Sequence, residues 1–109
     1  MSVEESGVVD AVGIETASGK IVLTISDHLD WSDADDHEFK LQEKLNAYLR
    51  FVESEEIFES YPKARGRVVV IDVVLRVAPS PRGQEFFETV RPILAGAGLE
   101  LRARVLPQA

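Results

Sequence analysis

Residues 67–77 read R-V-V-V-I-D-V-V-L-R-V, and where this run is placed decides the fold. Strands with one solvated face alternate between apolar and polar side chains, whereas this one is apolar almost throughout. Near-continuous apolarity over that length predicts a central strand covered on both faces for most of its course. Outward from it, Ser80-Pro81 supplies an N-cap and a first-turn proline, the signature of a following helix. Phe86 or Phe87, Val90 and Leu94 form its buried stripe. Pro92 falls inside it, removes one backbone hydrogen bond and should kink or shorten it. Gly96-Ala97-Gly98 ends the helix. A closing strand follows, with Leu99, Leu101, Ala103 and Val105 expected inward and Glu100, Arg102 and Arg104 outward.

On the other side of the central run, residues 54–67 carry Ile57, Phe58 and Tyr61, aromatic enough to predict a packed loop or short helical turn. Before them, Leu41, Leu45, Tyr48, Leu49 and Val52 recur at steps of three and four, an amphipathic helix reaching about Glu53. Ser32 or Asp33 is its N-cap, with Asp35 and Asp36 in the first turn. Phe39 falls nearer the solvated side. The earliest runs, 8–16 and 20–29, flank Ala17-Ser18-Gly19 and read as a hairpin. In the second, Ile21, Leu23, Ile25 and Leu29 face one way and Lys20, Val22, Thr24, Ser26 and His28 the other. The order is ββαβαβ over a single domain, residues 1–109. It predicts an α+β two-layer sandwich, a four-stranded mixed sheet with two helices packed on one face. Same-face packing is expected because 109 residues offer little to cover a second face.

Composition narrows the classes of function. The net charge is −7, split as 15 acids against 4 bases (−11) over residues 1–61 and 4 against 8 (+4) over 62–109. An acidic balance argues against general nucleic-acid binding, which needs clustered cations to displace counterions. The asymmetry is best read as two halves attracting each other within one fold. No apolar run approaches the ~20 residues of a membrane helix. Met1-Ser-Val-Glu-Glu has neither a basic nor an apolar leader region, so a cytoplasmic location is expected. With no cysteine there is no disulfide framework and no thiolate chemistry.

The chemistry-bearing residues concentrate in S-D-H-L-D-W-S-D-A-D-D-H-E, residues 26–38, which hold both histidines, the lone tryptophan and six carboxylates. Asp27, His28, Asp30 and His37 could centre a metal-dependent binder or hydrolase. The spacing, however, matches neither a calcium loop nor a short zinc-binding histidine pair. Ser26 lies two residues from His28 on the same strand face, but no nucleophile elbow accompanies it. Acids in a first helical turn complement the helix dipole. Trp31 would plug the strand-to-helix corner with its N–H bonded to a carbonyl or carboxylate. His37, four residues before Leu41, lies on the apolar stripe and reads as a packed, hydrogen-bonded histidine. No catalytic residue, metal ligand or cofactor is therefore assigned. A second candidate surface is the sheet face turned from the helices, where valines sit among charges that include Asp72 and Arg76. Lys63, Arg65 and Arg67 form a small basic turn, read as a solvated loop.

The whole chain resembles a small bacterial family of unknown function. The resemblance rests on V-V-D-A-V-G-I at 8–14, I-V-L-T-I-S-D-H-L-D-W at 21–31 and L-Q-E-K-L-N-A-Y-L-R-F-V-E-S at 41–54. Y-P-K-A-R-G-R at 61–67 and V-V-I-D-V-V at 69–74 extend it. Similar sequences often carry glycine where this chain has Glu55, and an apolar residue at 39, which implies that Phe39 is packed. The resemblance brings no activity, cofactor or catalytic residue. A small acidic domain without catalytic motifs is expected to be a protein-interaction module, adaptor or immunity-like, not an enzyme. It would take a basic protein partner, and could form a homodimer through the open sheet face or an edge strand. Asp27, His28, Asp30, Trp31, His37, Asp72 and Arg76 are the candidate functional surface, with nucleic acid and membrane excluded as partners.

Overall fold

The computed structural model describes residues 11–106. Strands β1 (Ala11–Ile14) and β2 (Ile21–Asp27) form the hairpin, then come helices α1 (Ala34–Glu53) and α2 (Glu56–Ser60). A 3-10 turn (Pro62–Ala64), strand β3 (Val69–Leu75), helix α3 (Pro81–Gly96) and strand β4 (Leu99–Val105) follow. The sheet runs in the order β1-β2-β3-β4. The first pair is antiparallel and the other two are parallel. It is therefore mixed, with β3 inside it, as the valine run requires. The expected hairpin residues before Ala11 lie outside the described residues.

Both long helices join neighbouring parallel strands, and progression in one direction puts right-handed crossovers on the same face. The core records this. Leu41, Leu45 and Tyr48 of α1 share one apolar cluster with Phe87 and Leu94 of α3 and with Ile21, Leu23, Ile25, Ile71, Val73, Leu99 and Leu101 of the sheet. Each fully buried aliphatic or aromatic side chain contributes about 1.5–3 kcal/mol. Tyr48 Oη donates to the carbonyl of Thr24 at 2.8 Å, so its polar end is satisfied as well.

Both N-caps form where the residue types place them. Asp33 Oδ1 accepts from the Asp36 amide at 3.1 Å, choosing between the two expected caps of α1. Ser80 Oγ accepts from the Gly83 amide at 3.2 Å, with Pro81 in the first turn. A cap of this kind stabilises by ~1 kcal/mol. Helix α3 continues through Pro92 to Gly96, so the proline does not shorten it. The 54–67 connection is the packed helical turn expected of it, with Ile57 and Ala64 buried. Between α1 and α2, Glu55 takes a left-handed backbone, φ 65°. A Cβ is penalised there, so glycine would suit that backbone better than glutamate.

Three sequence expectations are corrected. Phe39 is 61% exposed and not packed, because it falls on the side of α1 away from the core stripe. Val105 ends β4 at 41% exposure, since the strand outruns the helix layer. The basic turn is not simply solvated. Arg67 donates through Nη1 to the Gly19 carbonyl at 2.8 Å and through Nε to the Lys63 carbonyl at 2.9 Å, clamping the hairpin tip. The Arg65 guanidinium lies 4.7 Å from the centre of the Phe58 ring.

Candidate functional site

Alternation along β2 puts Asp27 in phase with Ile21, Leu23 and Ile25, on the helix-facing side. A carboxylate there must find a partner, because an isolated buried charge costs several kcal/mol. Helix α1 supplies it, since His37 begins the stripe that continues through Leu41. His37 Nε2 and Asp27 Oδ2 are 2.5 Å apart, with the two side chains 1% and 0% exposed. The other ring nitrogen, Nδ1, lies 2.9 Å from the Asp30 carbonyl oxygen. Asp27 Oδ1 also accepts the Leu29 amide at 3.1 Å. Both ring nitrogens are thus engaged within the fold, one by the Asp27 carboxyl and the other by the Asp30 carbonyl.

Trp31 closes this corner. Its ring stacks on His37 with centroids 3.7 Å apart and 26° between planes, and the Phe87 ring meets it edge-on at 6.4 Å. Indole Nε1 donates to the Val77 carbonyl at 3.3 Å. Gly83 makes room for the ring. A Cβ there would lie 2.7 Å from Cζ3 and 2.8 Å from Cη2 of Trp31, closer than carbon atoms approach. Glycine inside a helix costs ~1 kcal/mol relative to alanine, and here it lets the first turn of α3 lie flat on the tryptophan. Asp30, on the outside, accepts from the Ser32 hydroxyl at 2.5 Å and from its amide at 3.0 Å. The hydroxyl bond is the main cause holding its carboxyl below the usual range, with the amide bond second.

The corner stands at the carboxyl ends of the parallel strands, where open α/β sheets commonly hold ligands. Here the space is filled. Outside Trp31, an open hollow of about 310 Å³ is lined by His28, Asp30, Asp33, Asp36 and part of His37. Among the described residues, no three His, Asp or Glu side chains converge as a set of metal donors.

Of the residues singled out from the sequence, Asp27, Asp30, Trp31 and His37 therefore meet. His28, exposed just past the end of β2, shares only the outer hollow with Asp30 and His37 and does not reach the Asp27–His37 pair. The Arg76 amide donates to the Asp27 carbonyl at 2.9 Å, and its side chain is exposed. Asp72 lies on the far sheet face, 6% exposed, and accepts from Arg104 Nε at 3.3 and 3.1 Å.

That far face is not the half-apolar surface its valines suggest. Lys20 Nζ reaches Glu100 at 3.1 Å, passing over β3 near Val70, which is fully buried. Arg102 Nη1 reaches Glu15 at 2.9 Å and its Nε reaches Glu100 at 3.2 Å, so the ladder spans from β4 to the end of β1. Glu15 is pulled down to about 2, first by the Arg102 hydrogen bonds and then by the Ser18 hydroxyl. On the helix side, Arg82 of α3 holds both Asp35 and Glu38 of α1. The cations of the basic half do engage the acids of the acidic half.

Lys44 is the polar residue that sequence reasoning overlooked. It is fully buried, and its Nζ lies 5.5 Å from the Tyr48 ring centre. The signal was its spacing, three after Leu41 and four before Tyr48, which places it on the stripe.

No helix among the described residues is long and apolar enough to cross a membrane. No curated protein and no solved structure matches the chain. A family model matches residues 1–107, spanning the Trp31 corner, the ion ladder and every strand between them, and the chain belongs to the family of unknown function DUF6572.

Proposed function

We propose that the protein is a non-catalytic interaction module of the cytoplasm, adaptor or immunity-like, that binds a basic protein partner through the outer face of α1 and α2. The observation that carries this reading is Phe39, a large apolar ring 61% exposed on α1. Exposed Asp36 and Glu43 stand within one turn of it, and exposed Glu53, Glu55, Glu56 and Glu59 continue the acidic surface across α2. Aromatic anchors ringed by charge are typical of interface centres, and an acidic rim speeds the approach of a basic partner and rejects acidic ones. The residues best suited to acid–base chemistry, Asp27 and His37, are engaged with each other, which favours a binding role over a catalytic one.

The test is affinity capture from the native host with the wild-type chain and Phe39→Ala. A stoichiometric basic protein is expected, held more weakly by at least tenfold after the substitution and released by salt. Thermal stability should be unchanged, because the ring buries little. No retained protein across growth conditions, or retention indifferent to Phe39 and to salt, overturns the reading.

A further inference from the structure

At one edge of the sheet, β4 is paired with β3 along seven residues. Edge strands are usually blunted by a proline, a bulge or an inward-pointing charge. Between Leu99 and Val105 there is no proline, and the helix-facing positions are Leu99, Leu101, Ala103 and Val105, all apolar. Among the described residues no strand lies on the outer side of β4. The direction of its free hydrogen-bonding groups can be derived. The Leu106 amide donates to the Leu75 carbonyl of β3. Alternation then turns the amides of Arg104, Arg102 and Glu100 towards β3 and those of Leu99, Leu101, Ala103 and Val105 outward.

We infer that β4 pairs antiparallel with β4 of a second copy about a two-fold axis at Arg102, joining two four-stranded sheets into one. This register places outward-facing residues opposite one another, Leu99 with Val105 and Leu101 with Ala103, so every outward amide and carbonyl of the strand is paired. The closer, non-hydrogen-bonded positions bring Glu100 of each copy opposite Arg104 of the other, a complementary pair on both sides of the axis. Arg102 meets its own copy at the centre, and each is already held by Glu15 and Glu100.

Shape agrees with charge. Val105 and Leu106 are 41% and 42% exposed at one end of β4. At its other end, Arg91, Ala95, Leu99 and Leu101 help line a hollow of about 330 Å³. Antiparallel pairing carries the exposed residues of each copy to the hollow of the other, the self-complementarity that an isologous contact demands. A register centred on Leu101 would pair only residues 99–103 and leave Val105 uncovered. This surface is separate from the α1–α2 face and does not depend on the partner proposed there.

Sedimentation equilibrium over a range of concentrations, together with residue-resolved amide exchange on the full chain, tests the inference. A dimer is expected, with the amides of Leu101 and Ala103 protected as concentration rises. Arg102 and Arg104 amides should be protected at every concentration, because they bond within the monomer. Ala103→Pro removes an outward amide without touching the β3 ladder, and should give a folded monomer. Should that variant misfold, Arg104→Glu is the second probe. It should weaken association at least tenfold, and Glu100→Arg added to it should restore it. A monomer at the highest concentration, or a dimer whose Leu101 and Ala103 amides exchange freely, overturns the inference.

Discussion

The corner beneath Trp31 and the ladder on the far sheet face both hold carboxyl groups against side-chain nitrogens, at distances that differ by less than an ångström. At the corner, Asp27 and His37 are sealed from water. In the ladder, Glu15 and Arg102 each keep about a third of their side-chain surface in solvent. Water is the difference. A sealed pair becomes costly when one member is removed, because the survivor cannot be rehydrated. An exposed pair loses only a screened attraction.

The largest expected effect breaks the dry side. His37→Ala leaves the Asp27 carboxylate buried without its partner and should lower unfolding free energy by about 3–5 kcal/mol, measured by urea titration. Replacing Asp27 and His37 together with apolar residues of similar volume should recover much of that loss, since no orphaned charge remains. Equal losses for the single and double variants would contradict this account. Gly83→Ala comes next. Despite better helix propensity, it should cost about 1–3 kcal/mol by driving a methyl group into Trp31, and near-ultraviolet circular dichroism should report the displaced indole. Glu55→Gly provides a reference in which no ion pair changes. Relief of the left-handed backbone should stabilise the fold by about 1 kcal/mol, seen as a higher urea midpoint with an unchanged slope.

The smallest effect belongs to the wet side. The Glu15 carboxyl lies at about 2 against an ordinary 4.5. A depressed carboxylate contributes stability that is fully present above 4.5 and disappears as pH falls towards about 2. Arg102→Ala should return the carboxyl towards its ordinary range in an NMR titration. Its effect on stability should be the smallest of the four, and should shrink further in concentrated salt.

The contrast also marks what could be read before the fold was known. Periodicity placed His37 on a buried stripe, and bulk placed Trp31 in the corner. Both assignments rest on local spacing, and both hold in the structure. The pairing of Asp27 with His37 was within reach of the same method. One residue shares the phase of Ile21, Leu23 and Ile25, the other the phase of Leu41, and two buried polar groups ten positions apart are best satisfied by each other. The ladder could not be read in this way. Its members come from the hairpin tip and from β4, and they meet only because strand order and sheet curvature bring them across β3. Phe39 shows the reverse limit. Packing was expected of this large apolar ring, while the helix register turns it to solvent.

One further consequence lies in the strand order. Because β1, β2, β3 and β4 lie side by side in the order of synthesis, each new strand docks against the one made just before it. None has to be threaded between two that are already paired. A ribosome-bound chain can therefore extend its sheet as it emerges, with β3 giving β2 its second neighbour. Of the four strands β4 docks last, and among the described residues no strand covers its outer edge. Pairing of two copies through that edge would therefore follow the docking of β4 and could not precede it.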